Sequence, residues 1–189
     1  MSTIHSFHEN ATVATSIGDT DVLPINQSGV LKQITGKVLR TSSSGVVDTT
    51  ATTLAVTQAL HGNNTVTVSS ASPIAITLPQ ATGTGTKFRF VLQVVATATP
   101  HTLKVANATD CLQGVYCSPV TGTATHIAFA AVSSATTATR SDTLSLNGTT
   151  TGGAVGCDIE VTDIATGFFQ IQVMDTCVST TTTPFSAGV

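Results

Sequence analysis

The chain has 189 residues, of which 41% are hydrophobic, 9% charged and 4% aromatic, and its formal net charge is −3. Seven basic residues in a mildly acidic chain leave no electrostatic footprint for nucleic acid, and the apolar content excludes an intrinsically disordered chain. No apolar run approaches the roughly 18 residues of a transmembrane helix, so the sequence predicts neither a nucleic-acid partner nor a membrane partner.

The opening residues, MSTIHSFHEN, have neither the basic nor the apolar region of a secretory signal. We therefore expect synthesis in the cytoplasm, where thiols stay reduced. The four cysteines are Cys111, Cys117, Cys157 and Cys177, and their spacing matches no zinc motif. Cys111 and Cys117 are close in sequence, so a disulfide between them remains the alternative to buried thiols.

Threonine is the most frequent residue, and threonine and valine both favour strands because branched side chains fit a pleated surface. No long segment has the 3.6-residue period of an amphipathic helix. The sequence predicts an all-β protein: a domain of about 8–10 antiparallel strands, built as a sandwich, jelly roll or barrel, after an extended N-terminal arm.

Residues 1–47 are the predicted arm, because their alternation is irregular and they end near the polar spacer TSSSG. Such an arm cannot bury its own apolar surface, so it packs on the main domain or binds a neighbour, most simply by strand addition. A frayed terminus is the alternative, and it suits residues 1–15 better than 22–40. The candidate contact residues are apolar or basic: Leu23, Ile25, Leu31, Lys32, Ile34, Lys37 and Arg40.

Residues 48–189 are the predicted β-domain, with an extended C-terminal tail that Phe185 anchors. Turn residues and prolines separate short runs of alternating hydrophobicity. Pro100 predicts a hairpin between the runs before and after it, and the glycine-rich loop 149–156 predicts another. In chain order the predicted strands are TLAVTQAL, TVTVS, IAITLP, KFRFVLQVVATA, HTLKVAN, CLQGVYC, THIAFAAV, DTLSLNG, CDIEVTD and FFQIQVMD.

The alternation also predicts which side chains form the core of this domain. One residue in two along each strand faces inward, and the inward set is apolar. The predicted core residues are Phe88, Phe90, Leu92, Leu103, Val105, Ile127, Phe129, Leu144, Leu146, Ile159, Val161, Phe169, Ile171 and Val173.

Groups that could support catalysis or bind a cofactor are scarce in this sequence. His61 is interpreted as a solvated turn residue, and neither His101 nor His126 has a carboxylate close in sequence. Asp158, Glu160 and Asp163 could supply three oxygens to a cation, fewer than calcium needs, so a solvated strand face is the preferred interpretation. GTGT and GGAVG precede no helix signal and are interpreted as turns rather than phosphate loops. We expect no catalytic, cofactor or metal site and no small-molecule substrate.

Three segments carry a family resemblance: ITLPQATGTGTKFRFVLQ, HTLKVANATDCLQG and SDTLSLNGTTTGGAVGCDIEVTDIATGFFQIQV. Together with TPFSA they resemble tailed-bacteriophage virion proteins of the capsid decoration (cement) and head-fibre type. The resemblance covers residues 74 to 187. This chain has Phe168 and Phe169 where a tryptophan is common, and it has cysteines at 111, 117 and 157 where other residues are expected.

The resemblance implies a homotrimeric β-rich knob on the outside of the virion head, bound to the major capsid protein. A decoration protein of this kind bridges neighbouring capsid subunits and stabilises the shell against internal pressure. The arm segment 22–40 is then the expected capsid contact, its basic residues meeting an acidic rim and its apolar residues serving as anchors.

Three rival functions remain at this point. The first is a head fibre or spike that binds host surface glycans, although aromatic side chains suited to sugar stacking are few, with Tyr116 and Phe168 the candidates. The second is a secreted surface-layer component, which the opening residues disfavour. The third is an enzyme, but no local grouping of catalytic residue types supports it.

Overall fold

The computed structural model describes residues 22–27, 30–35, 45–70, 72–119, 125–132 and 139–188. The chain divides into two compact units, Met1–Ser42 and Ser43–Val189. Within the described part of the first unit, strands β1 (Val22–Gln27) and β2 (Val30–Thr35) pair antiparallel as a two-stranded sheet.

The second unit is almost entirely β, as the composition predicts, and twelve strands are described in it. A single helical turn, α1 (Gln58–His61), lies between the second and third of them. The strands are β3 (Val46–Thr49), β4 (Thr53–Ala55), β5 (Thr65–Val68), β6 (Ala75–Thr77), β7 (Lys87–Leu92), β8 (His101–Lys104), β9 (Cys111–Pro119), β10 (His126–Ala131), β11 (Thr143–Leu146), β12 (Asp158–Ala165), β13 (Phe168–Met174) and β14 (Phe185–Ser186).

These strands form two sheets that share one hydrophobic core, so the sandwich is the correct choice among the predicted architectures. The larger sheet has the order β10-β9-β13-β12-β7-β5-β3, and the smaller has the order β14-β11-β8-β6-β4. Inward residues of both sheets, such as Phe90 from the first and Leu144 from the second, belong to the same core. Phe185 is buried beside Leu144, which confirms its predicted role as the anchor of the tail.

Both sheets are mixed, whereas the sequence analysis expected antiparallel strands. From β3 to β8 the chain alternates between the two sheets, so each strand returns beside the previous one of its own sheet in the same direction. The pairs β3–β5, β5–β7, β4–β6 and β6–β8 are therefore parallel, and β13–β9 is the fifth parallel pair. The remaining described pairs are antiparallel.

The two predicted hairpins are wrong for the same reason. Strands β7 and β8, on either side of Pro100, lie in different sheets, and so do β11 and β12, which the loop 149–156 connects. The predicted strand TLAVTQAL is shorter than expected, because β4 ends at Ala55 and α1 begins at Gln58, after only two intervening residues. Thr57 caps this turn by accepting a hydrogen bond from the Leu60 N–H at 3.4 Å.

The predicted core is confirmed at every position except the edge of the larger sheet. Ile127 and Phe129 lie on β10, which pairs with β9 alone among the described strands, and both are half-buried. Phe129 still packs against the core, with its ring centroid 6.2 Å from that of Tyr116. The other predicted core residues are buried: Phe88, Phe90, Leu92, Leu103, Val105, Leu144, Leu146, Ile159, Val161, Phe169, Ile171 and Val173.

Candidate functional site

The β1–β2 hairpin contains five of the seven residues that the sequence predicts for partner contact. Leu23 is paired with Ile34, and Ile25 is paired with Lys32. Directly paired residues of an antiparallel ribbon share a face, and so do residues two apart on one strand. These four positions therefore lie on the same face of the hairpin.

Leu31, the fifth of these residues, does not join that face. Leu31 is paired with Asn26, and this pair alternates with the first set, so Leu31 lies on the opposite face. Lys37 and Arg40 lie outside the described residues. The pair Gln27 and Val30 belongs to the first face by the same register, so that face has four apolar positions, one lysine and one glutamine. The second face contains Leu31 together with Val22 and Pro24.

The larger sheet carries a charged strip on its outer face, where β7 and β12 lie side by side. Lys87 Nζ is 2.8 Å from Glu160 Oε1, and Arg89 Nη2 is 2.7 Å from Asp158 Oδ2. Arg89 Nε also donates to both Asp158 oxygens, at 2.9 and 3.2 Å. This hydrogen bonding, followed by the charge of Asp158, raises the pKa of Arg89. Asp158 and Glu160 therefore lie on a solvated face, the preferred interpretation of the sequence.

Asp163 lies on the same strand but on the buried side, so it cannot join Asp158 and Glu160 in a cation site. It fixes the predicted GTGT turn instead. Its oxygens accept from the N–H groups of Thr82 at 3.0 Å, Gly83 at 2.7 Å and Thr84 at 3.2 Å. Burial acts to raise the pKa of Asp163, but these hydrogen bonds outweigh it and hold the pKa below its usual value.

A second buried carboxylate, Asp175, organises the loop 149–156, and nothing in the sequence singles it out. The Tyr116 hydroxyl donates to Asp175 Oδ2 at 2.6 Å, and the Gly153 N–H donates to the same oxygen at 2.5 Å. The N–H groups of Ala154, Thr176 and Cys177 donate to Asp175 Oδ1 at 3.2, 2.7 and 3.2 Å. Burial, then the bond to Asp175, raises the pKa of Tyr116, so this pair holds the fold together rather than exchanging protons.

The cysteines carry thiols, and the alternative disulfide between Cys111 and Cys117 is wrong. Both residues lie on strand β9, six positions apart, which places their Cα atoms about 20 Å from one another. A disulfide spans at most about 7 Å between Cα atoms. Burial raises the pKa of Cys157, so this thiol is not prepared as a nucleophile.

The described histidines are dispersed. His61 is 5% exposed and accepts at Nδ1 from the Thr57 N–H at 2.9 Å, so its interpretation as a solvated turn residue is wrong. His101 is also buried, accepts at Nδ1 from the Ile74 N–H at 3.1 Å, and lines an apolar cavity of about 10 Å³ between the sheets. His126 is exposed at the start of β10. These three imidazoles lie on different elements and do not form a common site.

No family model, curated protein or solved structure matches this chain. Within the described ranges, no three or more histidine, cysteine, aspartate or glutamate side chains are grouped so that they could hold a metal ion. In that same part of the chain, no helix has the length and apolar character needed to cross a membrane. The candidate sites are therefore two surfaces: one face of the β1–β2 hairpin and the charged strip of the larger sheet.

Proposed function

We propose that this chain is a capsid decoration protein of a tailed bacteriophage, located on the outside of the virion head. Its partner is the major capsid protein, and it bridges neighbouring capsid subunits. The segments of residues 74 to 187 that resemble such virion proteins support this proposal. The all-β sandwich, with a separate N-terminal unit, is an architecture suited to that role.

The observation that carries the proposal is the β1–β2 hairpin. It is a sheet of two strands, and an isolated two-stranded ribbon is marginally stable in water. Such a ribbon gains stability when an apolar face is covered by a partner. The face with Leu23, Ile25 and Ile34 supplies apolar area, and Lys32 on that face adds a charge suited to an acidic rim.

Homotrimerisation belongs to the same proposal. A closed ring of three chains presents three hairpins to the shell without growing into a filament. Once one hairpin binds, the other two meet the capsid at high effective concentration. Weak individual contacts then add up to stable decoration.

The test uses full-length variants and emptied capsids that lack the protein. Leu23→Ser with Ile34→Ser changes the proposed contact face, whereas Leu31→Ser changes the opposite face and serves as the matched control. We expect the double variant to lose capsid binding in a co-sedimentation assay and the control to bind like the unchanged protein. Full occupancy by the double variant would contradict the proposed contact.

A copy number tests the function itself. Quantitative mass spectrometry of purified particles should find the chain in hundreds of copies, near one for each major capsid subunit. A count of a few tens or fewer would contradict shell decoration and indicate a vertex fibre or a tail spike.

A further inference from the structure

The surface charges of the second unit are concentrated in one place. Most of its carboxylates are buried, as Asp163 and Asp175 are. Among the described residues of this unit, the charged side chains outside the core are Asp48, Lys87, Arg89, Lys104, Asp158 and Glu160. Four of these six form the two ion pairs between β7 and β12, which we call the paired strip.

The paired strip has no net charge, because each cation lies against a carboxylate. Its groups are held in place by their own hydrogen bonds, including the two-nitrogen contact from Arg89 to Asp158. They remain within reach of solvent, with side-chain exposures of 50% for Arg89 and 43% for Glu160. The strip therefore offers fixed donors and acceptors but no field that would attract an anion or a cation.

Depressions between side chains follow the strip. Three depressions of about 220, 200 and 170 Å³ run along it, and Glu160 lines all of them. Amide side chains border it, with Asn63 on one side and Gln170 and Gln172 on the other. Phe168, which is 39% exposed, continues the outward row of Gln170 and Gln172 on β13.

We propose that the paired strip binds a neutral, hydroxyl-rich polysaccharide. A sugar hydroxyl both donates and accepts, so it fits a surface where carboxylate oxygens alternate with guanidinium, ammonium and amide N–H groups. Adjacent depressions suit the successive units of a linear polymer, and the exposed Phe168 ring offers an apolar face for stacking at one end. A rigid sheet also avoids much of the entropy cost of ordering the site.

Two other occupants fit less well. A nucleic acid or an acidic glycan needs an excess of cations, and Asp158 and Glu160 cancel those present. A second copy of the chain needs an interface core, and such cores are depleted in lysine, aspartate and glutamate. The polysaccharide site is built from residues of the second unit alone, and the proposal does not depend on capsid binding.

The experiment measures binding of the purified full-length protein to dextran and to an array of neutral, sialylated and sulfated glycans. We expect binding to one or more neutral glycans, unchanged between low and high salt. Glu160→Ala and Gln172→Ala should each weaken it at least tenfold. Lys104→Ala, on the outer face of the other sheet, is the matched control and should leave affinity unchanged.

Thermal unfolding of each variant shows whether the sandwich is intact, since a strip residue at the surface should not alter the core. The proposal is overturned if no neutral glycan binds, or if binding is confined to acidic glycans and falls with salt. It is also overturned if folded strip variants bind as tightly as the Lys104→Ala control. A change in oligomeric mass in the strip variants would assign this face to self-association instead.

Discussion

At the scale of single residues, two buried aspartates hold loops in place by accepting backbone hydrogen bonds. Asp163 and Asp175 are the last residues of two predicted strands, and both are buried and accept hydrogen bonds from several backbone N–H groups. Each carboxylate accepts several N–H groups of a loop. The residues that donate to Asp163 are exposed, whereas two of those that donate to Asp175, Gly153 and Cys177, are buried. A buried N–H group left without a partner costs about 1–3 kcal/mol. The carboxylates thus take the place of strand pairing where the chain leaves the sheets.

The first prediction concerns Tyr116, whose hydroxyl is one of the donors to Asp175. Tyr116→Phe removes that hydrogen bond and leaves the ring, so we expect the free energy of unfolding to fall by about 1–2 kcal/mol. Asp175→Asn replaces an acceptor oxygen with an amide among N–H donors, and the loss should be larger. Urea unfolding measures both. An unchanged midpoint for the two variants would contradict a structural role for the pair.

The second prediction concerns pH. Burial lowers the pKa of His101 below the usual 6.5, because a charged imidazole is disfavoured in the core. The unfolded chain therefore takes up a proton before the folded one as pH falls, and stability decreases below about pH 6.5. Urea midpoints between pH 5 and 7.5 should show this slope. His101→Gln should flatten it, whereas exposed His126→Gln should not, and equal slopes in all three proteins would refute the assignment.

At the scale of elements, alternation locates strands but not their partners. The runs that contain β7 and β8 are each correctly predicted as strands, and Pro100 between them indicates a turn. The apolar face of each run shows which side is buried, but either sheet of a sandwich can cover it. Whether consecutive strands pair or cross to the other sheet depends on contacts between residues far apart in the chain.

A glycine on β9 shows how tightly two elements approach. Gly114 has φ +146°, and a Cβ there would lie 1.8 Å from the Ile171 carbonyl oxygen on the neighbouring strand β13. Gly114→Ala therefore forces the parallel pair apart, and we expect a loss of more than about 3 kcal/mol or failure to fold. Gly156 also has a positive φ of 86°, but a Cβ there meets open space.

Gly156→Ala is the matched control for that prediction. It should cost about 1–2 kcal/mol from backbone strain alone. Thermal unfolding of both variants compares the two effects. Equal losses of unfolding free energy in the two variants would show that only backbone strain matters at Gly114 and that the close approach of β9 and β13 adds nothing.

At the scale of the whole molecule, the two units differ in how much core they have of their own. Ser43–Val189 has its own two-layer core and very few surface charges, whereas the hairpin unit has a single two-stranded sheet among its described residues. A charge-poor surface resists self-association less than a charged one does. This property agrees with the proposed oligomer and with attachment to a shell.

The fourth prediction follows from the separate core. Removing residues 1–42 should change the free energy of unfolding of the sandwich by less than about 1 kcal/mol, because a domain with its own core folds alone. The truncated protein should remain a trimer by light scattering, as the full chain should at three times 19.2 kDa. It should no longer bind capsids. A truncated protein that unfolds at lower denaturant would show that the first unit supports the sandwich.

Apart from β1, β2, β3 and β14, which it did not predict, the sequence by itself determined the strand positions, together with the all-β class, most of the core and the solvated position of Asp158 and Glu160. These follow from alternation within a few residues, which local sequence contains. Only the tertiary structure decided the mixed sheets, the grouping of Leu23, Ile25, Lys32 and Ile34, and the burial of Asp163, Asp175 and His61. The reason is that pairing partners, and the N–H groups that make a buried carboxylate stable, come from distant parts of the chain.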